Sequence, residues 1–98
     1  MQFLLKTERP ESIQNLMRRI QYHYLGERDG QLSFSKPLGQ NPYPRFHIYL
    51  KQDSTEIRVN IHLDQKKASY EGTTAHSGEY DGPLIEKEIE RIKFQVNG

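Results

Sequence analysis

Two neighbouring runs of alternating apolar and polar residues constrain the fold of this chain more than any other feature. The apolar positions of the two runs are Phe46, Ile48, Leu50, Ile57, Val59, Ile61 and Leu63. Side chains alternate between the two faces of a β-strand, so each run predicts a strand with one buried face. Only the short segment QDST separates the runs. The pair therefore predicts an antiparallel β-hairpin.

The apolar rows also predict the register of this hairpin. If Lys51 faces Glu56, the rows match, because Leu50 then lies opposite Ile57. A slip of one residue would turn one apolar row towards water, which opposes any such slip. On the polar face the same register pairs Arg45 with His62, His47 with Asn60, and Tyr49 with Arg58.

The part of the chain before the hairpin predicts a strand, a helix and a second strand. The first eight residues, MQFLLKTE, favour a strand. Apolar side chains then recur at helical spacing from Ile13 to Tyr24, and Gly26 is suited to end that helix. After an Asp-Gly turn, Leu32 and Phe34 alternate with serines, which indicates the second strand.

The part after the hairpin predicts a long segment and an amphipathic helix. Between Leu84 and Val96, apolar residues recur at helical spacing among charged ones, and Pro83 suits the first turn. The segment before this helix, residues 65–82, holds little that could fill a core. Its residues 68–71 could form a short edge strand.

The predicted elements follow the order β-α-β-β-β-(β)-α, in which the brackets mark the short edge strand. The simplest way to bury every apolar stripe is an α+β fold, with both helices packed on one face of a single antiparallel sheet of four to five strands. The other face is then open to water. This order resembles that of the TATA-box-binding protein repeat, β-α-β4-α, and the resemblance is one of element order. The 98 residues fit a single α+β domain, 1–98.

Composition narrows the functional classes. Fourteen basic and thirteen acidic residues give a net charge of +1, which argues against a strongly polyanion-seeking protein but allows a local basic patch. The absence of cysteine excludes disulfides, thiolate metal sites and cysteine nucleophiles, and it fits a cytoplasmic protein. The apolar run at the N-terminus is too short for a membrane span or a signal peptide, so we expect no membrane partner.

The polar face of the hairpin is the predicted ligand-binding surface, together with two tyrosines of the segment that follows. The candidate residues are Arg45, His47, Tyr49, Lys51, Arg58, Asn60, His62, Tyr70 and Tyr80. An ordinary solvated face explains them too, but arginine, histidine, tyrosine and asparagine are frequent where a sheet contacts RNA or single-stranded DNA. The first hypothesis is therefore a binding module for nucleic acid, with no catalytic residue assigned.

A divalent metal site is the second hypothesis. His62 and Asp64 point the same way from one strand end, and His76 and Glu79 follow in the next segment. Histidine with carboxylate suits zinc, manganese or iron, so the chain could be a metal-binding protein or a small metal-dependent hydrolase. The competing interpretation is a hydrogen-bonded histidine–aspartate pair without metal.

A homodimer without catalytic activity is the third hypothesis. Small domains with one uncovered sheet face can pair through it. Tyr43, Tyr49, Tyr70 and Tyr80 would be suitable interface anchors, because tyrosine is enriched among the residues that dominate binding energy.

Overall fold

A computed structural model describes residues 1–6, 11–53, 56–65, 78–79 and 82–97. Its elements are β1 (Gln2–Lys6), α1 (Ile13–Arg19), β2 (His23–Arg28), β3 (Gln31–Pro37), β4 (Arg45–Asp53), β5 (Glu56–Asp64), β6 (Gly78–Glu79) and α2 (Pro83–Asn97). The predicted α+β class with one antiparallel sheet is confirmed. The final helix is also where the sequence predicts it, and the proposed edge strand at 68–71 lies outside the described residues.

The strands form one antiparallel sheet in the order β1-β5-β4-β3-β2. Strand β1 pairs with the first half of β5, and the two-residue β6 pairs with Leu63 and Asp64 at its end. Since β4 covers the whole opposite side of β5, β1 and β6 share one side of that strand. The segment after β5 therefore returns to the strand end that carries Asp64.

Both helices pack on the same face of the sheet. The apolar side chains of β1, β3, β4, β5, α1 and α2 form one buried cluster, in which Ile20, Ile48, Ile61 and Ile85 are fully buried. The inward-facing apolar side chains of β1, β3, β4 and β5 are thus buried against the two helices, whereas β2 leaves Tyr24 and Leu25 exposed. No helix in the described part of the chain is long and apolar enough to cross a membrane.

The first helix is shorter than predicted, and an unpredicted strand follows it. Helix α1 begins after Ser12, whose side chain accepts a hydrogen bond from the Asn15 backbone N–H, and it ends at Arg19. Gln21 adopts a left-handed conformation, with φ of 75°, and the N–H of Tyr22 bonds back to the Met17 carbonyl. These features form the turn that usually terminates a helix at glycine.

The residues predicted to complete that helix form β2 instead. Tyr24 packs its ring on Phe34 of β3, with ring centroids 5.4 Å apart. The pairing of β2 with β3 is interrupted between Tyr24 and Gly26, so Gly26 occupies a bulge rather than a helix end. The two strands are joined by Asp29 and Gly30, both with positive φ, which is the two-residue hairpin turn that an Asp-Gly pair favours.

The predicted register of the β4–β5 hairpin is wrong by two residues. Leu50 lies opposite Val59, not Ile57, and Lys51 lies opposite Arg58, not Glu56. A two-residue shift keeps every side chain on its own face, so the apolar pattern alone does not oppose it. On the polar face the observed pairs are Arg45 with Asp64, His47 with His62, and Tyr49 with Asn60.

A buried polar network connects α2 to the start of β2. The Tyr22 hydroxyl donates to Glu88 Oε2 at 2.6 Å, and Arg91 donates to the same carboxylate at 2.7 and 2.9 Å. Arg91 also donates to the Ile20 carbonyl at 3.0 Å. Burial and the neighbouring carboxylate raise the pKa of the Tyr22 hydroxyl, and the hydrogen bond to Glu88 raises the pKa of Arg91. The network therefore gives both carboxylate oxygens of Glu88 hydrogen-bond partners inside the fold.

Candidate functional site

The candidate site lies on the sheet face that the helices leave uncovered. The observed register places His47 of β4 beside His62 of β5, with Asp64 at the end of the same row. The predicted open face is not uniformly open, because these side chains are only 12%, 13% and 21% exposed, and Ser35 of β3 is buried on the same face. The cluster is half-enclosed yet still reachable from solvent.

The Asp64 carboxylate is the centre of this cluster. It accepts hydrogen bonds from His47 Nδ1 at 3.1 Å, His62 Nε2 at 2.8 Å and Arg45 Nε at 3.3 Å. Burial acts to raise the pKa of Asp64, but the hydrogen bonds from both imidazoles outweigh it and hold that pKa well below its usual range. Because a carboxylate only accepts hydrogen bonds, the two ring nitrogens that face it carry hydrogens.

Ser33 of β3 extends this arrangement. Its hydroxyl oxygen lies 2.7 Å from His47 Nε2, so Ser33, His47 and Asp64 form a hydrogen-bonded series in the order found in serine hydrolases. Acyl transfer also needs donors for the developing oxyanion. Strand β3 is paired on both sides, so its backbone N–H groups serve the sheet. The series therefore orients His47 and provides no oxyanion site of its own.

Aromatic rings pack against one another beside the cluster. The centroid of the Tyr49 ring lies 4.4 Å from that of the His47 ring and 5.8 Å from that of the His62 ring. The centroids of the two histidine rings are 4.9 Å apart. Arg45 places its guanidinium 4.8 Å from the centre of the Tyr43 ring. These contacts fix the orientation of the histidines and of the arginine that bonds to Asp64.

A shallow depression of about 200 Å³ lies further along the same face. Its lining residues are Gln2, Gln31, Tyr49, Lys51, Arg58 and Asn60. Lys51 and Arg58 sit directly opposite each other on β4 and β5, and both are exposed. Like charges in that position repel one another. The described residues of the lining supply two cations, three carboxamides and one phenol, and no carboxylate is among them.

The structure divides the predicted ligand-binding residues into two groups. Tyr49, Lys51, Arg58 and Asn60 line the depression, whereas Arg45, His47 and His62 belong to the Asp64 cluster. The predicted Tyr70 and Tyr80 lie outside the described residues.

The predicted metal ligands are brought together only in part. His62 and Asp64 are adjacent, and the donor that joins them is His47 from the neighbouring strand. His76 lies outside the described residues, and for Glu79 only the backbone is described, opposite Leu63. The two-residue register error explains why the sequence does not predict His47 here, since the expected partner of His47 was Asn60.

Three further residues of this face are absent from the sequence-based predictions. Ser33 alternates with Leu32 and Phe34, a signal that points it to the polar face, but the order of the strands is needed to place it beside His47. Gln2 and Gln31 come from β1 and β3, which flank the hairpin in the sheet. Only the tertiary structure brings them to the depression.

The homodimer hypothesis stays a prediction. Tyr43 and Tyr49 are half-buried and make ring contacts within the chain.

Comparison with known protein families, curated proteins and solved structures finds no match. The function proposed below is therefore inferred from the geometry of this chain.

Proposed function

We propose that this chain is a binding module whose ligand is a short single-stranded nucleic acid. The observation that carries the proposal is the depression in which two cations lie opposite each other, with no carboxylate among its described lining residues. A phosphate placed between Lys51 and Arg58 would be attracted by both cations.

Those neighbouring groups suit the other parts of a nucleotide. The carboxamides of Gln2, Gln31 and Asn60 can donate to and accept from base edges, and Tyr49 offers a ring for stacking. The near-neutral net charge predicts that binding is weak and confined to a few phosphates. We expect the other predicted residues of this face to contribute little to nucleic-acid binding, because His47 and His62 are largely buried.

Fluorescence anisotropy with labelled single-stranded DNA and RNA oligonucleotides tests this proposal. The logarithm of the association constant should fall linearly with the logarithm of the salt concentration. Each phosphate contact on a single strand contributes about 0.7 to the steepness of that slope. We expect Lys51→Gln and Arg58→Gln each to weaken binding and to reduce the slope by about that amount. Lys87→Gln is the matched control, because Lys87 is an exposed lysine on α2, which packs on the other face.

Two results would refute the proposal. One is the absence of any anisotropy change at low salt with the wild-type chain. The other is a slope in Lys51→Gln equal to that of the wild type, since the cation pair would then not contact phosphate. Equal affinity for an inorganic polyphosphate chain would refute the part of the proposal that concerns the bases.

A further inference from the structure

We propose that His47, His62 and Asp64 form a binding site for a first-row divalent transition-metal ion, with Zn²⁺ as the reference case. One ligand atom from each residue lies within 4.8 Å of the other two. Two imidazoles and one carboxylate form a ligand set that zinc and non-haem iron use in proteins. None of the three residues lines the basic depression, so this inference does not depend on nucleic-acid binding.

The distances within the cluster suit replacement of hydrogens by a metal ion. Zinc bonds of roughly 2.0–2.1 Å in a tetrahedral arrangement hold ligand atoms about 3.3 Å apart. His62 Nε2 lies 2.8 Å from Asp64 Oδ1, and His47 Nδ1 lies 3.1 Å from Asp64 Oδ2. These two pairs of atoms would open by less than an ångström, and the other ligand-atom separations, all within 4.8 Å, would close by up to about 1.5 Å.

The surrounding hydrogen bonds favour the metal-bound state as well. When His47 Nδ1 binds an ion, the ring proton must reside on Nε2, where the Ser33 hydroxyl oxygen lies at 2.7 Å and accepts it. Histidine ligands in proteins usually donate their second N–H to an oxygen in this way. Arg45, bonded to Asp64 Oδ2, orients the carboxylate and moderates its charge, so we expect binding of moderate affinity.

The described residues supply three donors to this site. These three described ligands alone would leave a coordination position for water or another ligand, as in catalytic zinc sites. The partial exposure of the cluster allows an ion to enter from solvent.

Isothermal titration calorimetry with the full chain, freed of metal by a chelator, tests the inference. We expect one Zn²⁺ per chain, and no binding of Mg²⁺, because Mg²⁺ requires oxygen ligands. His62→Ala should weaken Zn²⁺ binding by more than about 100-fold, since even the loss of a residue that only supports a ligand costs 10–100-fold. His23→Ala is the matched control, because His23 is exposed on β2 outside the cluster and should leave the affinity unchanged.

Nuclear magnetic resonance of the wild-type chain keeps the test decisive if His62→Ala does not fold. Zn²⁺ should shift the imidazole signals of His47 and His62 and leave that of His23 in place. The inference is overturned if millimolar Zn²⁺ neither releases heat nor shifts those two signals. Unchanged affinity in a folded His62→Ala chain would overturn it equally, as would a shift of the His23 signal as large as that of the other two.

Discussion

Replacing Arg91 by methionine should destabilise this protein more than any other single change on the surface of α2. The substitution keeps the aliphatic stem but removes the two bonds that Arg91 makes to Glu88. The Glu88 side chain is only 6% exposed, so its carboxylate would remain buried with the Tyr22 hydroxyl as its sole partner among those described. A buried carboxylate that loses its cation is strongly penalised.

The magnitude follows from the burial of the pair. Breaking a fully buried ion pair by removing one partner costs roughly 3–5 kcal/mol. Arg91 itself is 29% exposed, so water recovers part of the loss, and we expect about 3 kcal/mol. For a chain of this size, each kcal/mol shifts the melting temperature by about 4–8 °C, which corresponds to a fall of about 12–24 °C.

Urea unfolding at neutral pH measures this change directly. Lys87→Met is the control, because Lys87 is exposed on the same helix and its loss should cost less than about 0.5 kcal/mol. Adding Glu88→Gln to Arg91→Met should restore part of the stability, because the uncompensated charge disappears. A loss below about 1 kcal/mol for Arg91→Met, or strictly additive effects in the double variant, would refute the reasoning.

Four further expectations concern acid, alkali, the metal site and the core. Folding lowers the pKa of Asp64, so its contribution to the free energy of unfolding is present above about pH 4 and is lost as pH falls. Asp64→Asn should therefore reduce the fall in the urea midpoint of unfolding that is measured as the pH is lowered. Folding raises the pKa of Tyr22, so its contribution to the free energy of unfolding is present below about pH 10 and is lost as pH rises. Tyr22→Phe should therefore reduce the fall in the urea midpoint at alkaline pH. A variant whose urea midpoint changes with pH as steeply as that of the wild type would contradict the assignment for that residue. Ser33→Ala should weaken Zn²⁺ binding about 10–100-fold in calorimetry, whereas Ser35→Ala should not, and equal losses would remove the special role of Ser33. Ile61→Ala should lower the unfolding free energy by about 2–5 kcal/mol, and a smaller loss would mean that the core closes around the missing atoms.

The apolar pattern predicts the class of fold and most of the core, although Tyr24 and Leu84 of the predicted helical stripes are exposed. It does not predict where α1 ends. Ile20, Tyr22 and Tyr24 alternate as in a strand, while Ile20 and Tyr24 also have helical spacing. The choice depends on Gln21, which adopts a left-handed conformation without being glycine. A non-glycine residue in that conformation carries little signal in a sequence.

The candidate site is less predictable than the fold, because it depends on contacts between strands. The sequence indicates that His47 and His62 share a face with Asp64, and the structure confirms that shared face. Whether His47 lies beside His62 or beside Asn60 depends on a shift of two residues in the register of β4 and β5. Such a shift leaves every side chain on its own face of the sheet, so the apolar pattern does not decide between the two. Ser33 reaches His47 only because β3 is the neighbour of β4. Such adjacency comes from the complete sheet and not from any local pattern.

The bulge in β2 bears on how this protein behaves at high concentration. Strand β2 ends the described order of the sheet, and it exposes Tyr24 and Leu25 to 47% each. A flat edge with apolar side chains is a template on which further chains can add as strands, which leads to aggregation. The interruption between Tyr24 and Gly26 bends the strand and breaks the regular spacing of its free backbone groups. We therefore expect the folded chain to resist fibril growth from this edge.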